Sequence, residues 1–143
     1  MENNLTIQDE NINVICSELN KYLMERFGYK TPPAYRTLSG SNNIMVYSRV
    51  KFDLYLRCYY EASNWPANTI IIARLGFLKT RKGYGTHFLK FLKAIALKYG
   101  FEYIGIECAN KNSSAFAKHF KFKEFNSEKY ILNYIIRAEM LKL

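Results

Sequence analysis

The chain has 143 residues but only three prolines, three cysteines, two histidines and one tryptophan. Cys16, Cys58 and Cys108 lie far apart and are odd in number. That argues against a disulfide-framed fold and against the paired spacing of a zinc site, so no metal is expected. They read as buried thiols in a reducing compartment. No apolar run approaches the roughly 20 residues needed to span a bilayer. The opening stretch MENNLTIQDE also lacks the basic start and apolar core of a secretory signal. A cytoplasmic protein without membrane contact is therefore expected. Acidic residues are scarce, 12 against 21 Lys and Arg, which leaves a net charge of +9.

What is present is a globular composition, 49% apolar and 23% charged, sized for a single domain over residues 1–143. The charge is uneven. Between Lys79 and Lys123 ten basic residues face only Glu102 and Glu107, so this segment carries +8 of the +9. Such a field concentrates an anionic ligand, whether nucleic acid, membrane or a phosphate-bearing cofactor.

Periodicity supplies the organisation. Ile12, Ile15, Cys16, Leu19, Leu23 and Phe27 recur at three- and four-residue steps, which predicts an amphipathic helix over 9–27. Gly28 stops it, and the Pro- and Gly-containing stretch 29–43 reads as a surface connection. From Ile44 to Tyr60 the even positions are mostly apolar and the odd ones include Arg49, Lys51, Asp53 and Arg57. This alternation predicts two strands, or one sharply bent strand, with one buried face. TIIIARLGF (69–77) is a β-branched strand, 83–99 a helix and 102–109 a strand. Asn and Ser cap a short helix over 110–120, and 129–140 closes the chain as a strand. Strand, glycine turn, helix and strand in succession predict a parallel pair with a right-handed crossover, hence an α/β (α+β) fold.

The glycine turn is the most informative stretch. Arg81 and Lys82 precede Gly83 and Gly85, and an amphipathic helix starts at once. The first amides of a helix lack intrahelical partners and carry the positive end of its dipole, so they receive anions. Glycine lets a bulky anion approach those amides, and the two cations add charge-assisted donors. Taken alone, a two-glycine helix start reads equally well as an ordinary turn. The spacing matches neither the longer P-loop nor the three-glycine dinucleotide fingerprint.

Over residues 69–125 this succession resembles the core of the GNAT acetyltransferase superfamily, whose signature is Arg/Gln-x-x-Gly-x-Gly/Ala. The matching residues are Thr80, Arg81, Lys82, Gly83, Tyr84 and Gly85, with Thr80 in the place of Arg or Gln. The resemblance implies a mixed, splayed sheet flanked by helices, and acetyl-CoA as co-substrate. Its pyrophosphate would lie on the amides of 80–86, Thr86 included. The pantetheine arm would fill the gap between the splayed strands, held by the backbone near Leu75, Gly76 and Phe77.

An aliphatic amine is neutral in only about one molecule in 2,500 at pH 7, so attack on a thioester needs a base. Glu107, near the end of strand 102–109, is the candidate; it also reads as a half-exposed carboxylate balancing nearby lysines. The family pattern Asn-x-x-Ala/Ser-x-x-Phe-Tyr-x-x-x-Gly-Phe aligns from Asn110 with Ser113, Phe116, Phe120 and Phe122. Asn110 thereby joins the implied cofactor site. In this register Ala117 occupies the place of the usual acid tyrosine and Lys121 that of the glycine. Starting from Asn112 instead puts His119 at the tyrosine position. His119 is thus the candidate proton donor, or else a solvated histidine on a basic helix. Tyr84 reads as a packing or cofactor-edge residue, His87 as a surface or capping residue and Cys108 as core.

The implied activity is direct transfer of an acetyl group to an amine acceptor. That acceptor is a small molecule, a protein or an aminoacyl-RNA, and a homodimer is compatible with the sequence. Two rivals stand beside it. One is a CoA-binding regulator without catalysis, suggested by Ala117. The other is a basic nucleic-acid-binding module using its twelve tyrosines for stacking.

Overall fold

The computed structural model describes residues 2–37, 41–46, 52–77, 83–107, 109–129 and 131–143. Helix α1 (Glu2–Phe27) presents Ile12, Ile15, Cys16, Leu19 and Leu23 as one buried stripe. It begins seven residues before the predicted start at residue 9. Strands β1 (Ala34–Arg36), β2 (Asn43–Val46), β3 (Phe52–Tyr59) and β4 (Thr69–Phe77) follow. Then come α2 (Tyr84–Lys98), β5 (Tyr103–Ile106), α3 (Lys111–His119), β6 (Lys123–Glu124) and β7 (Tyr134–Arg137), with a final 3-10 turn at Ala138–Met140.

All seven strands form one sheet in the order β1-β2-β3-β4-β5-β7-β6. Its two halves meet at the parallel pair β4–β5, and every other neighbouring pair is antiparallel. The crossover from β4 through α2 to β5 is the parallel connection expected from the sequence.

Three expectations change in detail. The stretch 29–43 is more than a connection, since β1 lies inside it and pairs Ala34 with Val46. Local propensity does not explain this strand, for Pro32 and Pro33 precede it and donate nothing. Asn20 of α1 does: its side chain donates to the Ala34 carbonyl at 2.9 Å and accepts from the Ala34 amide at 2.6 Å. The alternating run 44–60 splits into β2 and β3, with residues 47–51 outside the described ones. The closing strand shortens to β7, and β6 pairs with it through only two residues.

The even face of β2 and β3 is the buried one, through Ile44, Val46, Phe52, Leu54, Leu56 and Cys58. There α1 and α2 cover it. The rings of Phe27 and Phe88 lie 5.1 and 5.5 Å from that of Phe52, and Tyr22 stacks on Phe91 at 4.4 Å. Buried Phe88, Leu89, Leu92, Ile95 and Ala96 form the inner stripe of α2. Cys16 and Cys58 are buried free thiols. Burial pushes both up in pKa, Cys58 to about 12, with Arg36 opposing weakly. Among the described residues no helix is long and apolar enough to cross a membrane.

Candidate active site

Two features of β4 create a gap in the middle of the sheet. Tyr55 of β3 opposes Arg74 while its neighbour Leu56 opposes Ile72, so Ala73 is the extra residue of a β-bulge. A bulge bends its strand and increases the local twist. Beside it, the parallel ladder joins Thr69–Ile72 to Tyr103–Ile106, and the Glu107 amide adds a bond to the Ile72 carbonyl at 3.0 Å. Strand β4 then continues for five residues paired only with β3. The chain after β5 turns the other way, with the Ala109 amide bonded to the Leu132 carbonyl at 2.7 Å. Among the described residues, the β5-facing edge of 73–77 therefore has no strand partner. A bare edge offers donors and acceptors to any extended group that enters.

The chain re-enters described territory at Gly83, immediately before α2. Gly83 has φ +74°, in the left-handed region that glycine occupies without strain. A Cβ built there would meet nothing within 4 Å among the described residues. The first helical bond runs from the His87 amide to the Gly83 carbonyl at 3.0 Å. Among the described residues no side chain caps this end, and its first turn has no acidic residue. The amides of Gly85 and Thr86 thus precede the first helical donor, and the end keeps its positive dipole.

On the face away from α1 and α2, the odd residues of β3 form a charged cluster. Arg57 reaches past β4 to Glu107, Nε to Oε1 at 3.5 Å. Arg74 of β4 donates from Nε to Oδ1 of Asp53 at 2.8 Å. Both guanidinium groups lie over the Tyr55 ring, at 5.0 and 5.9 Å from its centroid. Burial works against the charge on Arg57. Glu107 and the Tyr59 hydroxyl outweigh it, and the pKa ends raised. The Glu107 side chain is 25% exposed and the Arg57 side chain 31%, so both can meet a ligand from solvent.

No protein-family model matches the chain, and no curated protein matches it in sequence. Solved structures do resemble it. One is a probable acetyltransferase of the GNAT family from Chromobacterium violaceum, with a TM-score of 0.51 and 16% identity. That alignment covers 70% of this chain and 61% of the other, so the chain spans less than two thirds of that relative's length. The fold is GNAT-like. Another similar structure is the PaiA N-acetyltransferase from Thermoplasma acidophilum in complex with coenzyme A. It is 19% identical at a TM-score of 0.47 and covers 66% of this chain and 58% of its own.

In this GNAT-like frame, the residues expected from sequence fall into three groups. Leu75, Gly76 and the backbone of Phe77 lie on the unpaired edge of β4, and Gly83, Tyr84, Gly85 and Thr86 form the start of α2. Tyr84 packs edge-on against Phe27 at 5.1 Å with Arg26 over its ring at 5.3 Å. Thr80, Arg81, Lys82 and Cys108 lie outside the described residues.

Asn110 and His119 sit at opposite ends of α3. The Asn110 side chain caps the helix, accepting from the Ser113 amide at 2.9 Å. His119 is exposed in the last turn with its ring edge-on to Phe120, and nine residues at the α-helical rise span about 13 Å. Ala117 is fully buried, whereas Ala115, Lys118 and His119 are exposed, so the register starting at Asn110 is the one whose positions face inward. Sequence reasoning did not single out Tyr55, Arg57 or Arg74. For Tyr55 and Arg57 the signal was the odd-numbered phase of the alternation, shared with Asp53, and Arg74 is the one charged residue of the apolar run 69–77.

Proposed function

We propose that the chain is an N-acetyltransferase that moves an acetyl group from acetyl-CoA to the amine of an acceptor by direct transfer. The observation that carries this reading is the parallel ladder that stops at Ile72 and Ile106 while β4 runs on towards a helix start with no side-chain cap among the described residues. An extended chain ending in a pyrophosphate fits both parts. Its amide-bearing arm matches the backbone donors and acceptors of residues 73–77. Its phosphates match the amides of Gly85 and Thr86, beside a Gly83 whose Cβ would meet nothing among the described residues.

The residues then divide the chemistry. Glu107, standing where the two strands part, accepts one proton from the acceptor ammonium. The freed nitrogen forms a bond to the thioester carbonyl carbon, and the carbon–sulfur bond breaks. CoA leaves as a thiolate and takes up the second proton lost by the nitrogen, so the products are an amide, CoA thiol and one released proton. Amides of the β4 edge are suited to hold the carbonyl oxygen as charge develops there. Arg57 is a positioning residue in this scheme, since its ion pair holds the Glu107 carboxylate at the strand end.

The buried Ala117 favours a second reading, a CoA-binding regulator without turnover. One pair of measurements decides between them. CoA should raise the thermal stability of the protein, by about 2.7 kcal/mol at 100 times its dissociation constant. Acetyl-CoA should then release thiol when an amine panel is added. Stabilisation without thiol release supports the regulator. No stabilisation, with salt-sensitive binding to RNA or DNA, supports a nucleic-acid module.

A further inference from the structure

The cluster on the open face carries more than the positioning of Glu107. Two arginines converge on one tyrosine ring; Nη2 of Arg74 is buried and donates to nothing among the described residues, while buried Nε of Arg57 faces Glu107 at 3.5 Å without a hydrogen bond. An unpaired buried donor is costly, and a charged one more so. Each arginine side chain is about a third open, 31% for Arg57 and 36% for Arg74, so a small rotation brings these donors to an entering group. The guanidinium carbons lie 5.0 and 5.9 Å from the same centroid and are therefore at most 10.9 Å apart. One small molecule can touch both.

Charge balance narrows the chemistry of that molecule. Among the described residues Arg57 and Arg74 are matched by Glu107 and Asp53, so this group of four carries no net charge. When Glu107 takes the proton of an acceptor ammonium, the cluster is left with one positive charge in excess. A carboxylate on the acceptor restores the balance, and the planar fork of an arginine suits it. A polyamine adds further cations to a chain already at +9, and a plain alkyl amine leaves the spare donors unused.

We infer that the acceptor is an amine carrying a carboxylate, held by Arg74 and Arg57 while its nitrogen faces Glu107. This rests on the acetyltransferase reading above.

The test measures thiol release from acetyl-CoA by the full chain with matched amines: β-alanine against propylamine, 4-aminobutyrate against butylamine, and phenylalanine against 2-phenylethylamine. The expected result is a kcat/KM at least tenfold higher for the carboxylate member of one or more pairs. Arg74→Gln should raise KM for that substrate at least tenfold while changing kcat less than about twofold. CoA stabilisation of the variant, which depends on the β4 backbone and not on this side chain, checks that it is folded. Arg74→Lys keeps a cation beside Asp53 but loses the fork, and should also raise KM severalfold. Equal rates across every pair, an unchanged KM in both variants, or CoA stabilisation with no transfer to any carboxylate amine would each overturn the inference and leave CoA binding standing. No CoA stabilisation in the wild type would overturn the acetyltransferase reading, and this inference with it.

Discussion

The Glu107 amide is bonded to the Ile72 carbonyl at 3.0 Å, the final bond between β4 and β5 among the described residues. Its backbone therefore belongs to the paired sheet while its side chain stands at the mouth of the gap, against Arg57. This anchoring separates two effects of substitution. Glu107→Gln keeps the backbone bond and loses only an ion pair open to solvent on one side, a loss of about 0–1 kcal/mol in stability. Its acceptor amine must instead reach neutrality without help, so transfer should slow by about 10²-fold or more and the rate profile should move to higher pH. Steady-state thiol release across pH checks this, and an unaltered rate removes Glu107 from the chemistry.

Gly83 allows a sharper contrast at the other end of the site. Its φ of +74° penalises side chains, Asn less than most, and a Cβ there would meet nothing within 4 Å among the described residues. Gly83→Asn should cost about 1 kcal/mol and weaken CoA binding only by the bulk of its neutral side chain. Gly83→Glu should fold with a similar penalty but lose CoA affinity by at least tenfold, because it sets a carboxylate where phosphate is proposed to bind. Calorimetric titration of both variants reads the difference. Equal CoA affinity in the two would count against phosphate at this helix start.

How much of this was legible beforehand follows from the range of each interaction. The stripe of α1, the alternation in β3 and the order β4–α2–β5 are local patterns, and they appear in the structure where periodicity predicts them. Strand β1 was not legible, because what holds it is the Asn20 side chain, fourteen residues away on α1. The β-bulge at Ala73 was hidden for a similar reason, being a mismatch of count between two strands, with no residue signature in one. Glu107 could be proposed from its position at a strand end. Its partner Arg57 lies 50 residues earlier, and only the sheet order brings it across β4.

Trp65 supplies a test of the sheet itself. It is 6% exposed, its ring lies 5.2 Å from that of Phe125 in a tilted contact, and a Cβ at Gly105 would come within 2.5 Å of the indole. The indole thus occupies the volume a side chain would need. Gly105→Ala should destabilise by about 1–3 kcal/mol, the usual cost of overpacking. Adding Trp65→Leu to Gly105→Ala should cost less than the sum of the two single changes. Denaturant unfolding of the four proteins measures that coupling, and simple additivity would mean that the indole does not fill the site.

His87 gives the fold a pH signature of known sign. Its ring is held below its ordinary pKa first by burial, then by Arg26 and Lys90. Nδ1 lies 2.9 Å from the hydroxyl of Tyr22, and the two rings stack at 5.6 Å. Burial lifts Tyr22 to about 12, with Arg26 opposing, so this hydroxyl stays protonated and can donate to a neutral imidazole. Because the folded value lies below the unfolded one near 6.5, the unfolded state takes up the proton first as pH falls. The contribution is fully present above about pH 6.5 and is lost as pH drops through the depressed folded value. His87 is exposed, so screening reduces the effect to a few tenths of a kcal/mol, about 1–2 °C in Tm. Between pH 7.5 and 5.5 the wild type should therefore lose about that much more Tm than His87→Gln does. A larger drop in the variant would reverse the sign argued here, since it would mean that the folded protein favours the imidazolium.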